Sequence, residues 1–366
     1  VAPHAALAAV AVWLLACTAL PAGQGTLVVL NKSDATASLI DLDFAKIVAT
    51  VATGKGPHEA AVSPDGRLAV VSNYGDRERP GSTLTVIDVG AATVERTIDL
   101  GGHRRPHGIA WLADGKRVVV TVEESRAVII VEVGSGRIDR SIPTGQEISH
   151  MLAVTPDGRR AFVANIGSGS VSVLDLAAGA HLIDIPTGAG AEGIDITPDG
   201  SQVWVTNRAA DTVTVIDASS LRIVREFGLA KAGDPESKPF PIRARCTPDG
   251  RHVLVSNANA ADVAVFDRGG LALERRIPMM LSAADLDGRL FGGQFGGSSV
   301  PIGILIPPGG KRAYIANANA DQVSVLDLES WKLIGNLKTG REPDGMAWSP
   351  LVVATPADDP GKRGAP

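Results

Sequence analysis

Apolar residues recur along this chain in short runs, and within the runs they often alternate with polar ones. Val213-Thr214-Val215-Ile216-Asp217 and Val171-Ser172-Val173-Leu174-Asp175 keep the period of two that sends successive side chains to opposite faces of a sheet. Helical periodicity is nearly absent. The runs are separated by a turn that keeps returning. It reads Ser63-Pro64-Asp65-Gly66, Ala113-Asp114-Gly115, Thr155-Pro156-Asp157-Gly158, Thr197-Pro198-Asp199-Gly200 and Thr247-Pro248-Asp249-Gly250, and then degrades to Pro307-Pro308-Gly309-Gly310 and Ser349-Pro350. Proline presets φ for such a turn and glycine accepts positive φ. Along the proline column, where Ala113 stands in once, the steps are 49, 43, 42, 50, 60 and 42 residues. Seven marks at a period near forty predict a repeat architecture.

Each repeat has the same internal order. An apolar run such as Gly193 to Ile196 leads into the turn. A second strand follows, as in Ala161 to Asn165, then a third, Val171 to Asp175, and a fourth from about His181 to Ile185. Four antiparallel strands per forty residues make one blade of a β-propeller. The chain opens with three strands that have no turn-bearing strand before them, at Leu27 to Leu30, Ala37 to Leu42 and Lys46 to Val51. It closes with a lone strand, Gly345 to Ser349. One C-terminal and three N-terminal strands would complete a seventh blade and leave no open edge. The expected fold is all-β, a seven-bladed propeller over residues 26–353.

The matching pieces Tyr314-Ile315-Ala316-Asn317, Val205-Thr206-Asn207 and Val213 to Asp217, with the Ser/Thr-Pro-Asp-Gly turns, resemble the YVTN-type repeat of bacterial seven-bladed propellers. That resemblance implies the fold and a secreted or periplasmic setting more than an activity, because propellers host many functions.

The termini change the picture of location. Ala5 to Ala16 is a short apolar run of the kind found in export signals, and residues 1–22 are expected to be a signal peptide. Leu14-Leu15-Ala16-Cys17 also resembles a lipobox, which makes Cys17 a candidate for lipidation. The protein is therefore expected to be periplasmic, secreted or lipid-anchored. Removal of the leader would leave Cys246 as the sole cysteine, so no intramolecular disulfide is expected. Residues 354–366 are rich in Pro, Gly and charge, as disordered tails are.

Composition narrows the partners. The chain is 45% hydrophobic but 4% aromatic, so Val, Ile, Leu and Ala must fill the core. A net charge of −5 and the lack of any basic run argue against nucleic acid, whose binding rests on phosphate neutralisation. A monomer is expected.

Candidate chemistry collects at one end of the ring. The Asp-Gly turns define a bottom face, and the large insertions, Tyr74 to Ser82, Gly101 to Arg105, Lys231 to Pro241 and Pro278 to Val300, all fall on the top. Long loops on one face of a rigid scaffold are where binding concentrates. Six residues before each turn proline stand His58, His107, His150, Glu192, Ile242, Ile302 and Asp344. Ring closure makes Asp344 a neighbour of His58, so five consecutive blades present Asp, His, His, His and Glu to one mouth. Glu59 and Arg243 follow one position later. Two positions further on, Asp195 and Arg245 are placed to pair. The expected ligand site is therefore His58, Glu59, His107, His150, Glu192, Arg243, Arg245 and Asp344.

Three imidazoles and a carboxylate suit Zn, Cu or Fe, so His58, His107, His150 and Glu192 are candidate metal ligands. Without metal the same ring suits an anionic ligand or acid–base work. The structural alternative is that these side chains only cap the strand starts. No serine elbow, phosphate loop, haem motif or dinucleotide fingerprint appears. The favoured expectation is a binding or scaffold propeller that takes an envelope protein or a small molecule at its top face. The alternative is a metal-dependent lactonase, hydrolase, lyase or redox enzyme at the mouth. Two further readings concern regular features. Asn31/Asp41, Asn73/Asp88, Asn165/Asp175, Asn207/Asp217, Asn257/Asp267 and Asn317/Asp327 are expected to hold turns, with calcium the minor alternative. Ser282 to Leu290 is expected to make a helical turn, and Phe291 and Phe295 to pack on the rim.

Overall fold

A computed structural model describes residues 25–280, 289–291 and 295–354. The expected leader, Cys17, the segments 281–288 and 292–294 and the tail from residue 355 lie outside the described residues. Seven four-stranded antiparallel sheets form the ring. Blade 1 is β4 (Pro57–Val62), β5 (Leu68–Gly75), β6 (Pro80–Asp88) and β7 (Thr93–Asp99). Blades 2 to 6 follow in chain order, with innermost strands β8 (Pro106–Trp111), β12 (Ser149–Val154), β16 (Ala191–Ile196), β20 (Pro241–Cys246) and β24 (Pro301–Leu305). Blade 7 is the composite one. β28 (Pro343–Ser349) pairs with β1 (Thr26–Asn31), which carries β2 (Thr36–Asp41) and β3 (Lys46–Ala52). The ring closes as the strand count predicted.

The core is divided among the blade interfaces. One apolar cluster fills each of the seven junctions, as with Phe162, Val173 and Ile185 against Ile194, Val203 and Ile216 between blades 3 and 4. The second and third strands supply most of this packing, because both of their faces lie against neighbouring blades. Their Val, Leu and Ile side chains are almost fully buried. The scarcity of aromatics therefore costs little, since flat sheets of branched aliphatics pack closely.

The Asn/Asp column does hold turns. Asp41 accepts from the backbone N–H of Asp43 and Phe44, and Asp217 does the same for Ser219 and Ser220. Asn31 and Asn73 reach across a loop, accepting from Gly340 N and Gly54 N. In blade 2, where the column breaks, Glu132 accepts from Gly134 N and Ser135 N and fills the role of the missing Asp. The Tyr74 to Ser82 insertion is more ordered than a loop. It lengthens β5 and β6 into a hairpin that pairs Gly75 with Pro80, turned by Asp76 accepting from Glu78 N and Arg79 N.

Candidate functional site at the top of the channel

The same backbone device aims one residue per blade into the mouth. Two positions before each mouth residue the chain adopts a left-handed φ: Gly56, Arg105, Ile148, Gly190, Phe240, Val300 and Glu342 all lie between 54° and 77°. Five of these are not glycine, and Ile148 and Val300 are β-branched, for which this region is a real outlier. Each innermost strand then shifts register at its first residues, as between Pro57 and Glu59 or Pro106 and Ile109. Such a bulge re-aims side chains. Close packing behind the bulge fixes the blades to one another. A β-carbon on Gly345 would sit 2.1 Å from His58 O, and one on Gly193 would sit 2.1 Å from Ile242 O. The Ser72, Thr121, Thr206 and Ser256 hydroxyls donate to the carbonyls of His107, His150, Ile242 and Ile302 of the next blade.

The three histidines are in contact. The His58 and His107 ring centroids are 4.9 Å apart, and those of His107 and His150 are 3.5 Å apart. Their environments differ. His58 Nδ1 donates to Gly56 O at 2.7 Å, which leaves Nε2 as an acceptor. Burial, with the Lys32 charge adding to it, holds His58 well below the ordinary histidine range. His107 is 3% exposed and is pushed down in the same way by burial and then by charge on His150. His107 Nδ1 is buried without a hydrogen-bond partner. His150 goes the other way. Burial opposes its charge, but Glu123 Oε1 at 2.5 Å from Nδ1 and Glu192 Oε1 at 3.6 Å from Nε2 outweigh it and raise it to about 9.

Around these sits a second tier that the sequence reading missed. It is the residue after each Asn-column position: Lys32, Tyr74, Glu123, Ile166, Arg208, Ala258 and Ala318. Tyr74 donates to Glu123 Oε2 at 2.6 Å and lays its ring against His58 and His107. Glu123 thus holds Tyr74 on one oxygen and His150 on the other. Arg208 Nη1 lies 2.8 Å from Glu192 Oε2, although its N–H is not aligned for a hydrogen bond. Lys32 Nζ is 3.0 Å from Glu342 Oε1 and 3.8 Å from Asp344 Oδ2. Burial raises Asp344 to about 6 in spite of Lys32. The available signal was the register itself, one residue beyond a column already aligned.

The other two blades are apolar in both tiers. Ile242, Ala258, Val300 and Ala318 form a separate cluster at the mouth, with Phe240, Phe291, Phe295 and Ile302 packed on it. Phe295 lies 5.8 Å from Phe291 and 6.4 Å from Phe240, centroid to centroid, so the paired phenylalanines do pack on the rim.

Three expected site residues lie below the mouth. Glu59 and Arg243 reach across the channel and pair beneath the mouth, and Arg243 Nη1 also lies 3.0 Å from Met151 Sδ. These three form a floor. Arg245 lies below it. Its Nη1 is 3.6 Å from Asp195 Oδ1, and it lines a space with Pro64, Ala113 and Pro156 of the turns. The expectation that Arg245 serves the mouth is corrected. An inward-facing side chain two positions along a strand moves about 7 Å down the channel.

The histidine arc is also not a ready metal centre. Among the described residues no three His, Cys, Asp or Glu side chains form a metal-holding group. His58 and His150 each turn Nδ1 to a neighbour, Gly56 O and Glu123, and the rings meet edge-on between His58 and His107 and tilted between His107 and His150. Cys246 is buried beside Asp195, and burial pushes its thiol well up, away from reactive thiolate character.

A sequence model of YNCE-like beta-propellers matches residues 104–236. A search of curated proteins finds no match. Solved structures share the fold. A hydrazine synthase chain from Kuenenia stuttgartiensis aligns with a TM-score of 0.65 and 21% identity, over 81% of this chain and 90% of that one. The periplasmic gluconolactonase of Pseudomonas aeruginosa aligns with a TM-score of 0.69 and 19% identity, over 91% and 100%. A functionally unknown protein from Desulfotomaculum acetoxidans aligns with a TM-score of 0.70 and 15% identity, over 90% and 100%. At these identities the likeness is one of fold.

Proposed function

We propose that this protein is a binding propeller of the YVTN repeat type that takes a small ligand at its top mouth. The observation that carries the reading is His107. A neutral imidazole must carry one N–H and one lone pair, and buried polar groups are almost always satisfied. His107 Nδ1 has no partner among the described residues. A ligand that hydrogen-bonds there would remove the deficit. The ligand fitting the whole mouth has one hydrogen-bonding edge for His58, His107 and His150, and one apolar face for Ile242 and Ile302. Export to the periplasm or beyond belongs to this reading, on the strength of the apolar run Ala5 to Ala16. Finding the full chain only in the cytoplasm after fractionation would remove that part.

The direct test is a fragment screen by ligand-observed NMR against the parent and His107→Phe. Amphipathic fragments should bind the parent and be lost in the folded variant. Fragments that bind both equally would refute the mouth as the site.

A second reading, an enzyme at the same mouth, has one specific observation behind it. A neutral His107 lies against a charged His150, and titratable neighbours driven apart in this way suit base and acid roles. The gluconolactonase among the fold neighbours is consistent with this reading but shares only the fold. A metal-dependent form would use Nε2 of His58, whose Nδ1 bond to Gly56 O would orient the ring, and would require His150 Nε2 to turn away from Glu192. Elemental analysis of the purified protein after incubation with Zn, Cu or Fe tests that form. About one equivalent, lost in His58→Ala/His107→Ala/His150→Ala, would support it; none would end it.

A further inference from the structure

The channel has a second chamber. Below the floor made by Glu59, Arg243 and Met151 lies a cavity of about 340 Å³ that opens between the Asp-Gly turns. That volume is at the small end of the range for ligand pockets. Its walls are Ile109, Trp111, Leu152, Ile196 and Met346, with partly exposed apolar surface from Ile109, Trp111 and Ile196. Trp111 is fixed in place by its indole N–H, which donates to Ala61 O at 3.0 Å.

One cation faces this mixed polar and apolar space. Arg245 donates from Nε to Ile304 O at 3.2 Å. Its neighbour Asp195 is 3.6 Å from Nη1 and already accepts from Cys246 N at 2.7 Å. A guanidinium has five N–H donors in a fork that matches a carboxylate, and most of those on Arg245 are not engaged. The other acid on the wall, Glu59, is paired with Arg243. Asp195 holds Arg245 in position without occupying its fork.

We propose that this lower chamber binds a small amphipathic carboxylate, with the carboxylate on Arg245 and the hydrocarbon body along Trp111, Leu152 and Met346. The site is separate from the mouth and does not depend on the reading given for it. Its small volume, with the floor above it, excludes macromolecules and favours short aliphatic or single-ring acids.

Isothermal titration with hexanoate, hexanamide and hexylammonium tests it on the whole protein. Hexanoate should bind, Arg245→Gln should weaken it at least tenfold, and hexylammonium should not bind. His107→Phe should leave hexanoate binding unchanged, which separates this site from the mouth. No heat from hexanoate up to about 10 mM would overturn the proposal, since a usable site needs a Kd below that. Equal binding of hexanoate and hexanamide, or equal binding by a folded Arg245→Gln, would overturn it as well. Trp111→Phe, with the indole donor removed but the wall kept, should bind within a few-fold of the parent.

Discussion

The mouth of this propeller has two halves built on one backbone. In blades 7, 1, 2, 3 and 4 the aimed residues are Asp344, His58, His107, His150 and Glu192. In blades 5 and 6 they are Ile242 and Ile302. The second tier divides in nearly the same way, with Lys32, Tyr74, Glu123 and Arg208 on the polar side, interrupted by Ile166 of blade 3, and Ala258 and Ala318 on the other. Left-handed turns and register shifts are common to all seven blades. The polar and apolar halves are therefore a choice of side chains and not of fold. The apolar half packs as a small core with three phenylalanines. The polar half leaves a buried nitrogen without a partner among the described residues. The first arrangement is what stability requires. The second is poor for stability and suited to recognition.

The Glu59–Arg243 pair joins the halves, and breaking it should have the largest effect. Glu59→Ala leaves a buried guanidinium unpaired and should cost about 3–5 kcal/mol in denaturant unfolding. Glu59→Met with Arg243→Leu should recover most of that, because no charge is left buried. A single mutant as stable as the parent would mean the floor is open to water.

Acid–base behaviour separates the halves next. His150 is raised to about 9, so its contribution is complete below pH 6.5 and is lost as pH rises from there through 9. This loss is on the order of 3 kcal/mol. Glu123→Gln should remove the alkaline fall, followed by unfolding at fixed denaturant across pH. Asp344, raised to about 6, contributes below its ordinary range and loses that contribution as pH rises through 6. His58 and His107 are depressed, so their contribution is present above pH 6.5 and lost as pH falls below it. His58→Phe/His107→Phe should flatten that acid limb.

The apolar half should respond to volume. Ile242→Ala should cost about 2 kcal/mol, near the lower bound for such truncations because the residue sits at the mouth. The equivalent polar truncation, His58→Ala, should cost less in the same unfolding assay. The smallest effect expected is His107→Phe. Replacing an unsatisfied imidazole with a ring of similar size should raise stability by about 1 kcal/mol. A loss of that size would mean the His107 nitrogens have partners in solution.

How much of this was legible in the sequence depends on distance along the chain. The blade count and the composite seventh blade follow from a local turn repeated at a regular step. The mouth ring follows from the same register, since His58 and His150 stand at one offset from their turns. Glu123 did not, because its partner His150 lies in the next blade and the Asn column that marks its position is broken at Val122. Arg245 was placed at the wrong end because a position in a strand gives a face but not a depth. The unpaired state of His107 depends on neighbours from two blades, and no local pattern records it.

The central claim is that a neutral imidazole with an unpartnered Nδ1 sits between a neutral and a charged one. Side-chain ¹⁵N NMR of the three mouth histidines across pH 5–10 tests it most directly. The account predicts that His150 keeps both N–H protons until about pH 9, while His107 and His58 stay neutral well below pH 6.5 and His58 carries its proton on Nδ1. Three histidines titrating together near 6.5 would contradict it, and would leave the mouth an ordinary solvated rim.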